Sequence, residues 1–172
     1  MVKKFFKIII IEYITNSYDA DASFVKINID RIKGTVTIED DGVGMTLDEL
    51  GDNFLKVGNN RRKKYITKTT DKGRLVTGRK GFGKLACFGL FKSFKVDTYK
   101  NNQKSTLIVT SKLNEDDEFE YEALIDEEST PIQHSNGTII YLSENTSEIV
   151  DNESLSESIA KRLNIMYDGT AT

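Results

Sequence analysis

The stretch EYITNSYDADA, Glu12 to Ala22, closes an apolar run from Phe5 to Ile11, and its reading decides the fold. The spacing predicts a helix over Lys4 to Tyr18. At 3.6 residues per turn, Glu12 and Asn16 stand about 40° apart on one face. Asp19 returns to nearly the same direction if the last turn holds. A carboxylate, an amide and a second carboxylate then form one polar line on a greasy helix. Charged side chains are seldom fully buried without partners, so such a line calls for a polar cavity, a metal or a ligand beside it. Two plainer readings compete: a surface helix with a polar stripe, or a strand through Ile8 to Ile11.

The rest of the composition narrows the field. A chain of 172 residues, 38% hydrophobic and 30% charged, suits one globular domain. A net charge of −3 gives no bulk attraction to nucleic acid. The single cysteine, Cys87, excludes a disulfide framework and a four-cysteine metal site, and it fits a reducing, cytoplasmic setting. The single histidine, His134, excludes a multi-histidine centre. No stretch approaches the roughly 20 apolar residues of a membrane span, so no membrane partner is expected. The opening MVKKFFKIIII is broken by Lys7 and Glu12 and has no small-residue cleavage site, unlike a signal peptide. Lys56 to Lys84 carries eleven of the 24 basic residues and one acid, Asp71; Glu115 to Glu128 carries nine acids and no base. Either run reads as a solvated loop in the absence of other signals.

After the first helix, Phe24 to Asp30 alternates as a half-buried strand, Lys33-Gly34 turns, and Thr35 to Glu39 completes a hairpin. Thr46 with Glu49 has capping-box spacing and opens a helix to about Lys56. Gly58 to Thr77 is polar, basic and weakly periodic, and reads as a long mobile loop. A short helix is expected over Lys84 to Phe91, then strands over Ser93 to Tyr99, Ser105 to Leu113, Glu118 to Ile125 and Thr138 to Leu142. The Asn101-Asn102 pair and Gly137 mark turns. An amphipathic helix over about Asn152 to Tyr167 ends the chain, with Leu155, Ile159, Leu163 and Met166 on its apolar face. Strands adjacent in sequence argue for an α+β fold, a mixed and mostly antiparallel sheet with helices on one face. Cys87 is expected in the core and His134 in a solvated turn.

Two glycine motifs carry further chemistry. Asp40 ends a strand and is followed by Asp41-Gly42-Val43-Gly44-Met45, where glycine admits backbone close to a ligand. A carboxylate fixed there can accept from an exocyclic amine such as that of adenine; the plain alternative is a strand-to-helix turn. Gly78, Gly81 and Gly83 precede the second apolar helix, and amide groups at a helix start bind phosphate. Arg79, Lys80 and Lys84 add positive charge. The spacing matches neither the P-loop nor the dinucleotide-binding fingerprint, and a glycine-rich packed turn is the alternative.

Taken together, Glu-x-x-x-Asn-Ser-x-Asp-Ala, then Asp-Asp-Gly-x-Gly-Met, then Gly-x-x-Gly-x-Gly, then Gly137-Thr138, resembles the GHKL ATPases, the family of gyrase B, the heat-shock chaperone ATPase, MutL, MORC proteins and sensor histidine kinases. The match runs from about Ile8 to Leu142. The resemblance implies a Bergerat-type two-layer α/β sandwich over residues 1–172, with ATP and Mg²⁺ held beneath a mobile lid at 58–77. It implies Glu12 as the general base that orients the attacking water and Asn16 as the Mg²⁺ ligand. Asp40 resembles the adenine-reading carboxylate, Gly44 the glycine beside the base, and Thr138 the hydroxyl that holds a water between Asp40 and adenine. Gly42 and Met45 complete the first glycine motif as nucleotide-binding positions, as Phe82 does the phosphate loop of Gly81, Gly83 and Lys84. Asp19 is left one of two supporting roles, a hydrogen bond in the pocket or a hold on the helix end. Asn59, Asn60 and Arg61 fall at the lid hinge, where relatives carry small hydroxyl residues.

The resemblance implies Mg²⁺-dependent ATP hydrolysis that drives a conformational change in a larger protein. A sensor kinase's catalytic domain is an alternative; Glu12 and the Asp19-Ala20 pair resemble the hydrolytic relatives instead. A non-hydrolysing nucleotide-binding module, or a nucleic-acid surface using Lys56 to Lys84, is another. Relatives carry more chain on both sides, so a homodimer through flanking regions and a nucleic-acid or protein client belong to the expectation for the full-length protein.

Overall fold

The structure, a computed structural model, describes residues 2–54, 69–77, 87, 90–113, 119–127, 131, 133–145 and 152–168. Helix α1 (Val2–Asp19) is followed by the hairpin β1 (Val25–Asp30) and β2 (Thr35–Asp40), then α2 (Leu47–Phe54). Strands β3 (Phe91–Lys100), β4 (Gln103–Leu113), β5 (Phe119–Glu127) and β6 (Gly137–Asn145) follow, and α3 (Asn152–Asp168) comes last. The six strands form one sheet in the order β1-β2-β6-β3-β4-β5, with each neighbouring pair antiparallel. This is the expected α+β architecture.

The isoleucine run of α1 is helical, because its apolar residues recur at helical spacing. Phe6, Ile9, Ile10, Tyr13 and Ile14 are all buried, at intervals of three and four. They pack on one face of the sheet, where the register sets side chains in cross-strand rows. Val36, Leu142, Phe94 and Val109 form one row; Ile38, Ile140, Val96 and Leu107 form the next. Leu50 of α2, Cys87, Leu90 and Leu155 of α3 close the same core. Burying a side chain of this size stabilises by about 1.5–3 kcal/mol each.

Local chemistry explains the turns. Asn101 and Asn102 both have positive φ, 56° and 60°, the geometry of a two-residue hairpin turn that matches strand twist. Asp30 accepts from the amides of Ile32 (3.0 Å) and Lys33 (2.9 Å) and so folds the β1–β2 turn. The capping box forms: Thr46 N donates to Glu49 Oε2 (2.9 Å) and Glu49 N to Thr46 Oγ1 (3.3 Å).

One expectation needs correction. Phe91 does not end a helix; it begins β3, opposite Asn145. Its aromatic ring continues an apolar run that serves a helix end and a strand start equally well, and periodicity cannot place the boundary. Cys87 is fully buried, as expected. His134 is exposed and also stacks on Tyr99, with centroids 3.9 Å apart.

Candidate nucleotide site

The two apolar rows of the sheet are followed by a polar one. Asp40, Thr138, Thr98 and Ser105 stand side by side on the helix-facing side, paired Asp40↔Thr138, Thr138↔Thr98 and Thr98↔Ser105. Strand alternation puts this row on the core face: Thr138, Thr98 and Ser105 are buried, Asp40 is half-buried, and their polar groups must be satisfied there. Thr98 Oγ1 lies 3.2 Å from Thr138 Oγ1, donates to Gly137 O (3.2 Å) and accepts from Met45 N (2.9 Å).

Above the row stands the last part of α1. Its apolar stripe steps from Tyr13 and Ile14 to Ser17, so a hydroxyl arrives where the sheet turns polar. Ser17 Oγ donates to Asp40 Oδ2 at 2.7 Å, and Tyr13 O is a second acceptor at 3.1 Å. Gly42 N donates to Asp40 Oδ1 at 3.0 Å. Burial pushes the Asp40 carboxyl above its ordinary range, against the pull of the Ser17 and Gly42 bonds. Each carboxylate oxygen takes one of these donors and keeps acceptor capacity for a ligand amine.

The loop after Asp40 is sewn to both layers. Val43 N donates to Ala20 O at 2.9 Å. A Cβ on Gly42 would lie 2.7 Å from that same oxygen. Gly44 has φ +65°, and a Cβ there would lie 2.1 Å from Tyr99 O. Only glycine meets both demands. Asp41 clamps the start of β1 by accepting from Phe24 N (3.0 Å) and Ser23 N (2.6 Å), and these amides hold its carboxyl below the ordinary range.

The structure thus brings Asp40, Gly42, Gly44, Met45 and Thr138 into one cluster with the Asn16–Ser17 turn of α1. Asn16 and Glu12 are half-buried, one turn apart on the same helix. The Glu12 side chain makes no hydrogen bond or ion pair among the described residues. Asp19 Oδ1 accepts from Thr77 N (2.9 Å) and Thr77 Oγ1 (3.0 Å), which ties the end of α1 to residues 69–77. Asn59, Asn60, Arg61, Arg79, Lys80, Gly81, Phe82, Gly83 and Lys84 lie outside the described residues, as do 58–68 of the expected lid. Ser17, Thr98 and Thr77 escaped the sequence reading. Ser17 had a signal, since it falls at the next stripe position after Tyr13 and Ile14. Thr98 had none until the register placed it beside Thr138.

The model of the family described as histidine kinase-, DNA gyrase B- and HSP90-like ATPase matches residues 4–139. The chain belongs to this ATPase family. ATP binding and hydrolysis are the family's chemistry, and the polar row and the α1 turn lie within the matched span. A protein of Herpetosiphon aurantiacus provisionally named type II restriction enzyme HgiDII is 34% identical over 99 residues, 58% of this chain and 16% of that protein. The ATPase and transducer domains of DNA topoisomerase II from Balamuthia mandrillaris share the fold, with a TM-score of 0.57 and 18% identity over 91% of this chain and 42% of that one. The chain therefore spans less than half of either relative. Among the described residues no helix is long and apolar enough to cross a membrane.

Proposed function

We propose that this domain binds ATP with Mg²⁺, hydrolyses it, and uses the cycle to drive a conformational change in a larger protein. The observation that carries the reading is the half-buried Asp40 carboxylate, held by the Ser17 hydroxyl and the Gly42 amide at the end of the polar row. An acid so held fits an adenine amine, and Thr138 beside it fits a bridging water. Gly42 and Gly44 admit the base close to backbone.

Mg²⁺ fits the donor set. No group of three or more His, Cys, Asp or Glu side chains converges among the described residues, so a cage of protein carboxylates is not what this helix offers. Mg²⁺ characteristically takes few protein ligands and completes its shell with phosphate oxygens and water. Asn16 would supply the amide ligand, and the ion would neutralise charge on the phosphates. Glu12, one turn away and half-buried, would accept a proton from the attacking water and orient it. Calorimetry with ADP and with a non-hydrolysable ATP analogue, with and without Mg²⁺, tests the reading alongside phosphate release. No nucleotide binding by the wild-type chain would overturn it. Turnover by the isolated domain is expected to be slow.

A second reading concerns the whole protein. The relative named as a restriction enzyme favours a full-length protein whose ATP cycle works on DNA. Stimulation of ATP turnover by duplex DNA, weakening steeply between two salt concentrations, is the expected outcome; equal turnover with and without DNA would remove it.

A further inference from the structure

Helix α1 ends without a basic residue in its last turn, yet its end is capped by positive charge. The charge comes from residues 69–77, about fifty positions later. These form a tight hairpin: Thr69 and Leu75 bridge, Thr70 N donates to Arg74 O (2.8 Å), and Gly73 N donates to Thr70 O (2.9 Å). Arg74 Nη1 donates to Ala22 O (2.8 Å) and Tyr18 O (3.3 Å), and its guanidinium lies 4.9 Å over the Tyr18 ring. Lys72 Nζ donates to Asp21 O (2.7 Å) and Ser23 Oγ (3.3 Å). Cations on the last carbonyls of a helix suit its dipole.

The centre of this junction is Asp21. Its φ is +60°, a conformation that L side chains seldom adopt, and its carboxylate is buried. Oδ1 accepts from Thr70 Oγ1 at 2.5 Å and lies 3.9 Å from Arg74 Nε; Oδ2 accepts from Lys72 N at 3.1 Å. All three donors belong to the hairpin. A left-handed backbone turn and a buried charge are thus both committed to one contact, and such conformers persist where the surrounding structure over-determines them and cluster at functional sites. The same hairpin delivers Thr77 to Asp19. Thr77 is the residue before Gly78, the first glycine of the phosphate-type motif in the sequence.

We propose that Asp21 is a positioning residue for the ATP reaction. It locks the 69–77 hairpin to the end of α1, and so fixes Thr77 on Asp19 in register with Asn16 and Glu12 of the same helix. The part of the nucleotide that depends on this junction is the phosphate chain, because the hairpin's side-chain hydrogen bonds go to the end of α1 and the turn after it, whereas Asp40 and Thr138 bond to Ser17, Gly42 and Thr98. The inference rests on the ATPase reading above.

The test compares wild type with Asp21→Gly in the intact protein. Glycine accepts the positive φ and removes only the carboxylate. ADP affinity is expected to stay within about threefold of wild type, while kcat falls tenfold or more and the affinity ratio of ATP analogue to ADP falls at least fivefold. Asp21→Asn keeps an acceptor for Thr70 and the tolerance for positive φ, and should recover part of the loss. A purely structural contact would lower the melting temperature and leave both the ratio and kcat unchanged; that result overturns the proposal while ADP binding upholds the nucleotide reading. Wild type that binds no ADP sinks both. If Asp21→Gly does not fold, Thr70→Val leaves the α1 backbone intact and must show the same selective loss of kcat, or the proposal fails.

Discussion

Ser17 and Asp40 join the helix layer to the sheet layer through one hydrogen bond of 2.7 Å, from the hydroxyl of α1 to the carboxylate at the end of β2. The bond sits where the apolar stripe of the helix and the apolar rows of the sheet both give out. The carboxylate is dear to bury and its pKa is raised accordingly. It is therefore a group whose removal should help the empty fold and harm the liganded one.

Asp40→Asn should weaken ADP binding by about 1.5–3 kcal/mol, the usual worth of a charged acceptor facing a buried amine. The melting temperature of the unliganded protein should hold or rise. Calorimetry and a thermal melt on the same sample check both; unchanged affinity would remove Asp40 from the adenine site.

The same carboxyl predicts two opposed pH trends. Its folded pKa stands above the ordinary aspartate value of 3.8, so the folded state holds the proton more tightly than the unfolded state. Its contribution to stability is complete below the unfolded pKa and is lost as pH rises through the raised one. Nucleotide affinity runs the other way, because only the ionised form accepts freely from the amine, and it should fall as pH drops through that window. Subtracting the pH profile of Asp40→Asn from that of wild type isolates the effect. Asp41 and Asp30, both lowered, titrate below the window.

Glu12→Ala should keep nucleotide affinity within a few-fold and reduce hydrolysis by roughly 10² to 10⁴, the usual contribution of a general base. Asn16→Ala should lose affinity and turnover together, and its binding should become indifferent to Mg²⁺. Phosphate release in the full-length protein, with affinities measured alongside, checks the pair. Wild-type hydrolysis by Glu12→Ala would make the polar line on α1 structural.

Gly44→Ala adds a Cβ 2.1 Å from Tyr99 O at a φ of +65°. Left-handed strain alone costs about 1–3 kcal/mol, and the clash with backbone adds to it. The expected result is a larger fall in denaturation midpoint than for alanine at Gly73, which has φ +78° but nothing within 4 Å of its Cβ and so carries the strain without the clash. Equal losses at the two positions would show that the approach to Tyr99 adds nothing.

Much of this was legible because it is local. The alternation of 24–30 and 35–39, the capping box at Thr46 and the paired asparagines at 101–102 all follow from a residue and its near neighbours. The motif residues Asp40, Gly44 and Thr138 were legible because their order and spacing match a known set. What stayed hidden needs the register or the long-range fold. Thr98 becomes part of the site only when β3 lies against β6; Ser17 stood at a legible stripe position, but its partner Asp40 appears only when α1 lies on the sheet. The last nine residues of 58–77 looked like more loop, because basic, polar residues give no periodic signal. Their partners, the carbonyls of Tyr18, Asp21 and Ala22 and the carboxylates of Asp19 and Asp21, lie on the helix end and the turn after it, far away in sequence.

The sheet order also has a consequence for how the chain is made. The last strand, β6, sits third across the sheet, between β2 and β3. While the ribosome is still working on residues before Gly137, β2 and β3 each expose a full unpaired edge, the kind of surface on which chains join one another. The nascent chain also lacks Thr138, and with it one wall of the proposed adenine site. Nucleotide cannot rescue this intermediate, because the strand that completes the pocket is the same strand that closes both edges. Folding is thus withheld until late in synthesis, and a chain truncated just before Gly137 should accumulate as aggregate where one extending past Asn145 stays dispersed.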